Sequence, residues 1–283
     1  MTASESGLIK KREITSGTKE WADHNVNCIK GCSNNCRYCY ARMMAKRFGR
    51  CTDDAWKEME INRKIVDKTF GRYEGRVMFP STHDIVDAPE AKEACLVVIG
   101  KLLEAGNDLL ITTKPRLSVT KEITSRFNSF KLKMQFRFTI TSLDNHLLSF
   151  WEPNAPCFEE RLESLRHAYE GGFKTSVSVE PFLDHDPKSL IDMLSPYVTE
   201  SIWLGPMNYI PTNGIADEDR QYYTEIRKRY AVNRLREIFE DLRDYPRIRF
   251  KDSMTNRLAT LQTEATEMSP LKPFTQRGEL VSV

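Results

Sequence analysis

Six short apolar runs, each separated from the next by a stretch of helical period, most limit how this chain can fold. They are Val26–Ile29, Val77–Pro80, Asp108–Thr113, Phe136–Thr141, Thr175–Val179 and Ser201–Leu204, with Arg247–Lys251 as a candidate seventh. Strands that alternate with helices pair in parallel, because a parallel neighbour is reached only through a crossover long enough to hold a helix. The helices between them have readable ends. Glu90–Ala105 opens after Pro89 and stops at Gly106, with Cys95 on its apolar stripe and therefore read as core. Phe158–Glu170 stops at Gly171-Gly172, and 218–243 reads as the longest helical stretch. The expectation is an α/β fold, a partial (β/α)6-type TIM-like barrel of parallel strands over 21–262. Residues 1–20 and 263–283 are peripheral N- and C-terminal extensions, the latter with Pro270 and Pro273 and a candidate cover for the barrel mouth.

Bulk properties narrow the class. The chain has 283 residues, 40% of them hydrophobic, which supplies a sizeable core. No apolar run approaches the roughly eighteen residues of a membrane span. The opening MTASESGLIKKRE lacks the apolar centre of a secretory signal, so a cytoplasmic location is expected. In that compartment seven cysteines are metal ligands or buried thiols rather than disulfides. A net charge of +2 is not the footprint of a dedicated nucleic-acid binder. Two local basic clusters remain, one at Arg42, Lys46, Arg47 and Arg50, the other at Arg227, Lys228, Arg229, Arg234 and Arg236. Each is first of all a solvated helix face.

In such barrels the reactive groups stand at the C-terminal ends of the strands. After the first strand comes CSNNCRYC, which places Cys32, Cys36 and Cys39 at C-x3-C-x2-C. Three closely spaced thiolates can bind three irons of a [4Fe–4S] cube and leave the fourth open to a small ligand. With Cys28 added, the same run would make a closed four-cysteine site for zinc or a cluster. The later strands end in Ser81-Thr82-His83-Asp84, Thr112-Thr113-Lys114, Thr141-Ser142, Glu180-Pro181 and Gly205-Pro206-Met207-Asn208. Polar groups thus gather at one end of the sheet, which favours the open cluster.

The run NCIKGCSNNCRYCYAR at 27–42 resembles the signature of the radical S-adenosylmethionine (SAM) superfamily, in its spore photoproduct lyase-like branch and phage-encoded relatives. Thr113-Lys114, Glu152-Pro153-Asn154-Ala155-Pro156 followed by Arg161-Leu162, and Ser178–Pro181 match in order. The resemblance implies a [4Fe–4S] cluster on Cys32, Cys36 and Cys39 that reductively cleaves SAM, giving a 5′-deoxyadenosyl radical that takes a hydrogen atom from substrate. It places Tyr38 and groups of Gly205 and Asn208 near the adenine. Ser81 and Asp84 fall to the SAM amino group, and Lys114 to its carboxylate. Ser142 falls to the ribose, and Glu180 to a ribose hydroxyl or substrate. Ser-Thr-His-Asp replaces the Gly-Gly-Glu-like segment of many relatives, so His83 competes for the amino group. Cys157 becomes a candidate hydrogen-atom donor. An electron donor such as flavodoxin or ferredoxin is the implied partner. The substrate is a nucleic-acid base, with Phe150-Trp151 as a candidate wedge, or a peptide or small molecule. The remote alternative is a non-catalytic four-cysteine metal protein.

Overall fold

The computed structural model describes residues 16–267, and side-chain environments through residue 259. Most of the C-terminal extension expected to cover the mouth lies outside the described residues. The strands are β1 (His24–Asn25), β2 (Ile29–Lys30), β3 (Glu60–Ile61), β4 (Arg76–Phe79), β5 (Asp108–Thr113), β6 (Met134–Thr139), β7 (Lys174–Val179), β8 (Ile202–Leu204) and β9 (Ile248–Phe250). Seven of them form one parallel sheet in the order β1-β4-β5-β6-β7-β8-β9, curled into a half-barrel. The candidate seventh strand is therefore real and forms one edge.

Alternation along the strands explains the layers. Val77, Phe79, Leu109, Ile111, Phe136, Phe138, Val177 and Val179 join one core with the apolar stripes of the outer helices, such as Leu96, Ile99, Leu102, Ile123 and Leu165. Each fully buried phenylalanine contributes roughly 2–3 kcal/mol. The intervening residues face the barrel interior and are largely polar. Thr112 lies beside Arg137 and Arg137 beside Ser176, with Thr139 beside Ser178 one step on. A sheet buried on both faces by apolar layers would read as continuous hydrophobic runs. Met134–Thr139 (MQFRFT) and Lys174–Val179 (KTSVSV) instead alternate, because on the inner face Gln135 and Arg137 bond to Ser176 while Thr139 and Ser178 reach the cavity.

Two expectations are corrected. The first strand is His24–Asn25, not Val26–Ile29; pairing with β4 extends only to the Val26 amide on the Met78 carbonyl at 3.0 Å. Ile29–Lys30 has left the barrel and pairs antiparallel with Glu60–Ile61. The stretch 218–243 is two helices, Arg220–Arg229 and Val232–Leu242. Between them the buried Tyr230 hydroxyl donates to the Phe182 carbonyl and Arg229 donates to the Leu183 carbonyl. These tertiary bonds override a helical period that the sequence carries straight through. Arg227 and Arg234 likewise donate to the carbonyls of Pro211 and His185, so much of the second basic cluster fastens loops.

Candidate functional site

At the C-terminal ends of the strands is a cavity of about 400 Å³. One wall is the loop after β1. Gly31 opens it with φ +96°, and a Cβ there would sit 2.2 Å from the Trp56 carbonyl oxygen, so only glycine fits. That approach lets the Cys32 amide donate to Trp56 O at 2.7 Å. Asn35 adopts the left-handed conformation between Cys32 and Cys36, φ 51°, and its side-chain oxygen accepts from Arg42 at 2.7 Å. Cys39 caps the helix Tyr40–Arg47, its sulfur accepting the Arg42 amide at 3.4 Å. The three cysteines consequently line one cavity wall together with Tyr38.

Polar side chains, some buried and some at the surface, fasten this wall to the barrel. Asn27 accepts the amides of Ser81 and Thr82 at 2.7 and 2.9 Å and donates to the Ser81 hydroxyl at 2.9 Å. Asp84 accepts from the Asn34 side chain, the Thr113 hydroxyl, and the amides of Ile85 and Lys114 at 2.8 and 3.1 Å. The His83 ring accepts the Cys28 amide through Nε2 at 3.2 Å, and Nδ1 faces the Asp84 carbonyl at 3.1 Å. Asn154 donates to the Ser33 carbonyl at 2.8 Å, and Arg116 donates to both Asn34 and the Asn154 carbonyl at 2.8 Å. Glu152, fully buried, pairs with Arg161 at 2.6 Å and accepts from Tyr38 and Thr141. Burial pushes the Glu152 carboxyl up, but Arg161 and Lys114 outweigh it and hold it below the usual range.

Lys114 reaches into the cavity from the end of β5, 3.9 Å from Glu152. Burial pulls its ammonium down, yet the field of Cys36, Glu152 and Asp84 outweighs burial and holds it well above an ordinary lysine. The opposite wall belongs to the barrel edge. Lys251, after β9, binds Glu20 and the Gly17 carbonyl at 2.9 Å, and its ammonium lies 4.5 Å from the centre of the Trp21 ring. The Asp252 amide donates to Glu20 at 3.1 Å. The segment Gly17–Trp21 thus joins β1 to the end of β9 and lines the cavity across from the cysteines. Glu180 projects here. Burial pushes its carboxyl up to about 7, against the pull of Lys251. Gly205 lets the two stems pass, since a Cβ there would lie 2.9 Å from Glu180 Cγ and 3.0 Å from Lys251 Cγ.

Of the residues expected at the site, the cavity brings together Cys32, Cys36, Cys39, Tyr38, Ser81, Asp84, Lys114, Glu180 and Asn208, with His83 beside them. Ser142 is fully buried against Asp184, outside the lining. Gly205 acts by the room it leaves. Cys157 is exposed, precedes the helix Phe158–Glu170 and does not line the cavity. Trp151 is a fully buried core residue hydrogen-bonded to Tyr222 at 2.9 Å, which removes it as a wedge. Asn27, Asn34, Asn154 and Glu152 were missed as site residues. The segment 152–156 was visible as a sequence match, but its contacts to the cysteine loop arise only in three dimensions.

The donor set suits an iron–sulfur cube. Burial pushes the Cys32 thiol up to about 12, with the charge of Asp84 adding to it, so three thiolates here require a cationic group between them. No group of three or more His, Cys, Asp or Glu among the described residues is arranged to hold a single metal ion. A cube takes each thiolate on a different iron and does not need them to converge on one point. Cys28 is no fourth ligand: it is fully buried, its sulfur 3.9 Å from that of Cys95, outside the cavity lining.

No family model matches the chain. It is 32% identical over 192 residues to an uncharacterized protein of Acidianus two-tailed virus, covering 64% of this chain and 60% of that one. It is 26% identical over 177 residues to an uncharacterized protein of Methanocaldococcus jannaschii, covering 62% and 66%. The chain thus spans about two thirds or less of the length of these relatives. Spore photoproduct lyase complexed with dinucleoside spore photoproduct superposes with a TM-score of 0.50 at 16% identity, over 85% of this chain and 79% of that one. A mutant of the same lyase gives 0.52 at 16% identity, over the same shares. At that identity the likeness shows a shared fold. Among the described residues no helix is long and apolar enough to cross a membrane.

Proposed function

We propose that the protein is a radical SAM enzyme. The observation that carries this is the meeting of Cys32, Cys36 and Cys39 with Lys114 on one cavity at the C-terminal ends of a parallel half-barrel. A [4Fe–4S] cluster held by these cysteines would supply the electron that splits SAM into methionine and a 5′-deoxyadenosyl radical. The chain's own residues do the rest. Lys114 offers a buried ammonium to the SAM carboxylate, a charge-assisted contact. Ser81 and Asn208 offer polar groups to its amino and adenine ends. Thr112, Thr139 and Ser178 line the interior with hydroxyls, and Trp21 with Lys251 closes the far side against water. The likeness to spore photoproduct lyase supports the fold this chemistry needs.

Anaerobic reconstitution with iron and sulfide tests the proposal. A brown protein whose reduced EPR signal changes on adding SAM is the expected result. One zinc per chain and no iron would end it.

For the substrate we infer a nucleic-acid base. Tyr40 and Tyr209 line the mouth while 42% and 41% exposed. Past the helix that Tyr40 begins, Phe48 is 57% exposed, with the guanidinium of Arg50 at 5.0 Å and that of Arg47 at 6.0 Å from its ring centre. From Arg37 through Arg50, both included, stand five Lys or Arg and no Asp or Glu. Exposed rings among cations suit single-stranded nucleic acid, bases stacking and phosphates pairing. A single-stranded oligonucleotide should bind at about 50 mM salt and lose affinity at about 200 mM. No binding at the lower salt would leave a peptide or small-molecule substrate.

A further inference from the structure

Glu152 is buried and outside the cavity, and nothing in the proposed chemistry uses it. Its two oxygens divide their partners. Oε2 faces the Arg161 guanidinium at 2.6 Å, both side chains fully buried. Arg161 is itself fastened, Nε to the Pro156 carbonyl at 2.8 Å and Nη1 to the Thr139 carbonyl at 3.4 Å. Oε1 faces the site. It accepts the Tyr38 hydroxyl and the Thr141 hydroxyl, the latter at 2.8 Å, and lies 3.9 Å from Lys114 Nζ. Tyr38 stands between Cys36 and Cys39, and the Lys114 ammonium lies 5.6 Å from the Tyr38 ring centre. The preceding carbonyl, Trp151 O, accepts the Arg37 amide at 2.8 Å, so the same turn also holds the cysteine loop by its backbone.

We propose that Glu152 is a positioning residue that couples the cysteine loop to the SAM carboxylate subsite, Oε2 anchored on Arg161 while Oε1 sets Tyr38 and Lys114 together. The inference rests on the radical SAM reading. Its physical content is that one carboxylate oxygen shares three donors. When Tyr38 and Thr141 satisfy it, the Lys114 ammonium stays 3.9 Å off, beyond a full hydrogen bond, and keeps its donors for a ligand. Remove the Tyr38 donor, and Lys114 is drawn onto Glu152 and away from the cavity. Outer partners of this kind change affinity by about 10–100-fold when mutated.

The test uses the reconstituted full chain and measures SAM dissociation constant, iron content and thermal midpoint. The wild-type protein comes first. If it takes up no cluster or binds no SAM, the functional reading fails and the coupling with it. If it binds both, Tyr38→Phe should weaken SAM binding about tenfold with iron content unchanged. In a Lys114→Met background the same change should have little further effect, because the two act through one oxygen. Glu152→Gln added to Tyr38→Phe should restore most of the lost SAM affinity when Lys114 is present, because a neutral amide no longer draws the ammonium off the cavity. Additive losses in the double variants, or unchanged SAM affinity in Tyr38→Phe, would overturn the proposal while leaving the enzyme class intact. If Glu152→Gln does not fold, the Tyr38 and Lys114 pair decides alone.

Discussion

The two walls of the cavity carry carboxylates in opposite states. On the cysteine wall, Asp84 accepts four donors from the chain and Glu152 accepts two hydroxyls beside its arginine. On the barrel-edge wall Glu180 has no hydrogen bond among the described residues, and burial raises it to about 7. The lysines run the other way. Lys251 is spent on Glu20 and Gly17, whereas Lys114 meets its nearest carboxylate only at 3.9 Å. A buried polar group that is fully partnered holds the protein in place, and one left short of partners is available to a ligand. By this measure Glu180 and Lys114 keep polar capacity open to the cavity, and Asp84 and Lys251 hold the walls. Asp84 lines the cavity where the sequence places a SAM contact, and its carboxylate accepts from four groups of the chain.

The strongest way to break this contrast is at the ligands themselves. Cys36→Ala should abolish cluster retention and 5′-deoxyadenosine formation, measured by iron content and chromatography; a variant that keeps both would refute the triplet. Next, Lys251→Met leaves Glu20 without its cation and should cost about 3 kcal/mol in denaturant unfolding. Iron uptake by the opposite wall should survive it; parallel loss of iron would show that the walls are not separate.

A third effect is pH-dependent. The Glu180 carboxyl lies above its ordinary value of 4.5, so the folded protein binds the proton more tightly than the unfolded chain. Stability should therefore fall as pH rises from about 4.5 to about 7, by at most about 3 kcal/mol from this group. Glu180→Gln should flatten that part of the stability curve, and an unchanged slope would remove Glu180 from the buried state assigned to it. The smallest effect is Lys114→Ala, expected to weaken SAM binding about tenfold, or about 1.4 kcal/mol, with the fold retained. Unchanged SAM affinity would move Lys114 from ligand-facing to wall-holding.

Legibility followed the range of the interactions. Asp108–Thr113 and Phe158–Glu170 have the bounds read from the sequence, because periodicity and glycine stops are local signals. His24–Asn25 was misplaced, since two residues at a sheet edge carry no period. The break at Tyr230 was invisible, since its cause is the carbonyl of Phe182, 48 residues away. In the site, the cysteine spacing and the polar strand ends were legible. The partners that decide whether each polar group is spent or free were not.

The sequence by itself determined the alternation of strand and helix, hence the parallel sheet, and the three cysteines after its first strand. It did so because pleat, helical period and ligand spacing are written in consecutive residues. Only the tertiary structure decided that Cys28 turns into the core, that Glu152 reaches back to Tyr38 across 114 positions, and that Lys251 closes the barrel edge over Glu20. Those contacts join residues far apart in the chain, and their energies depend on burial that no local pattern encodes.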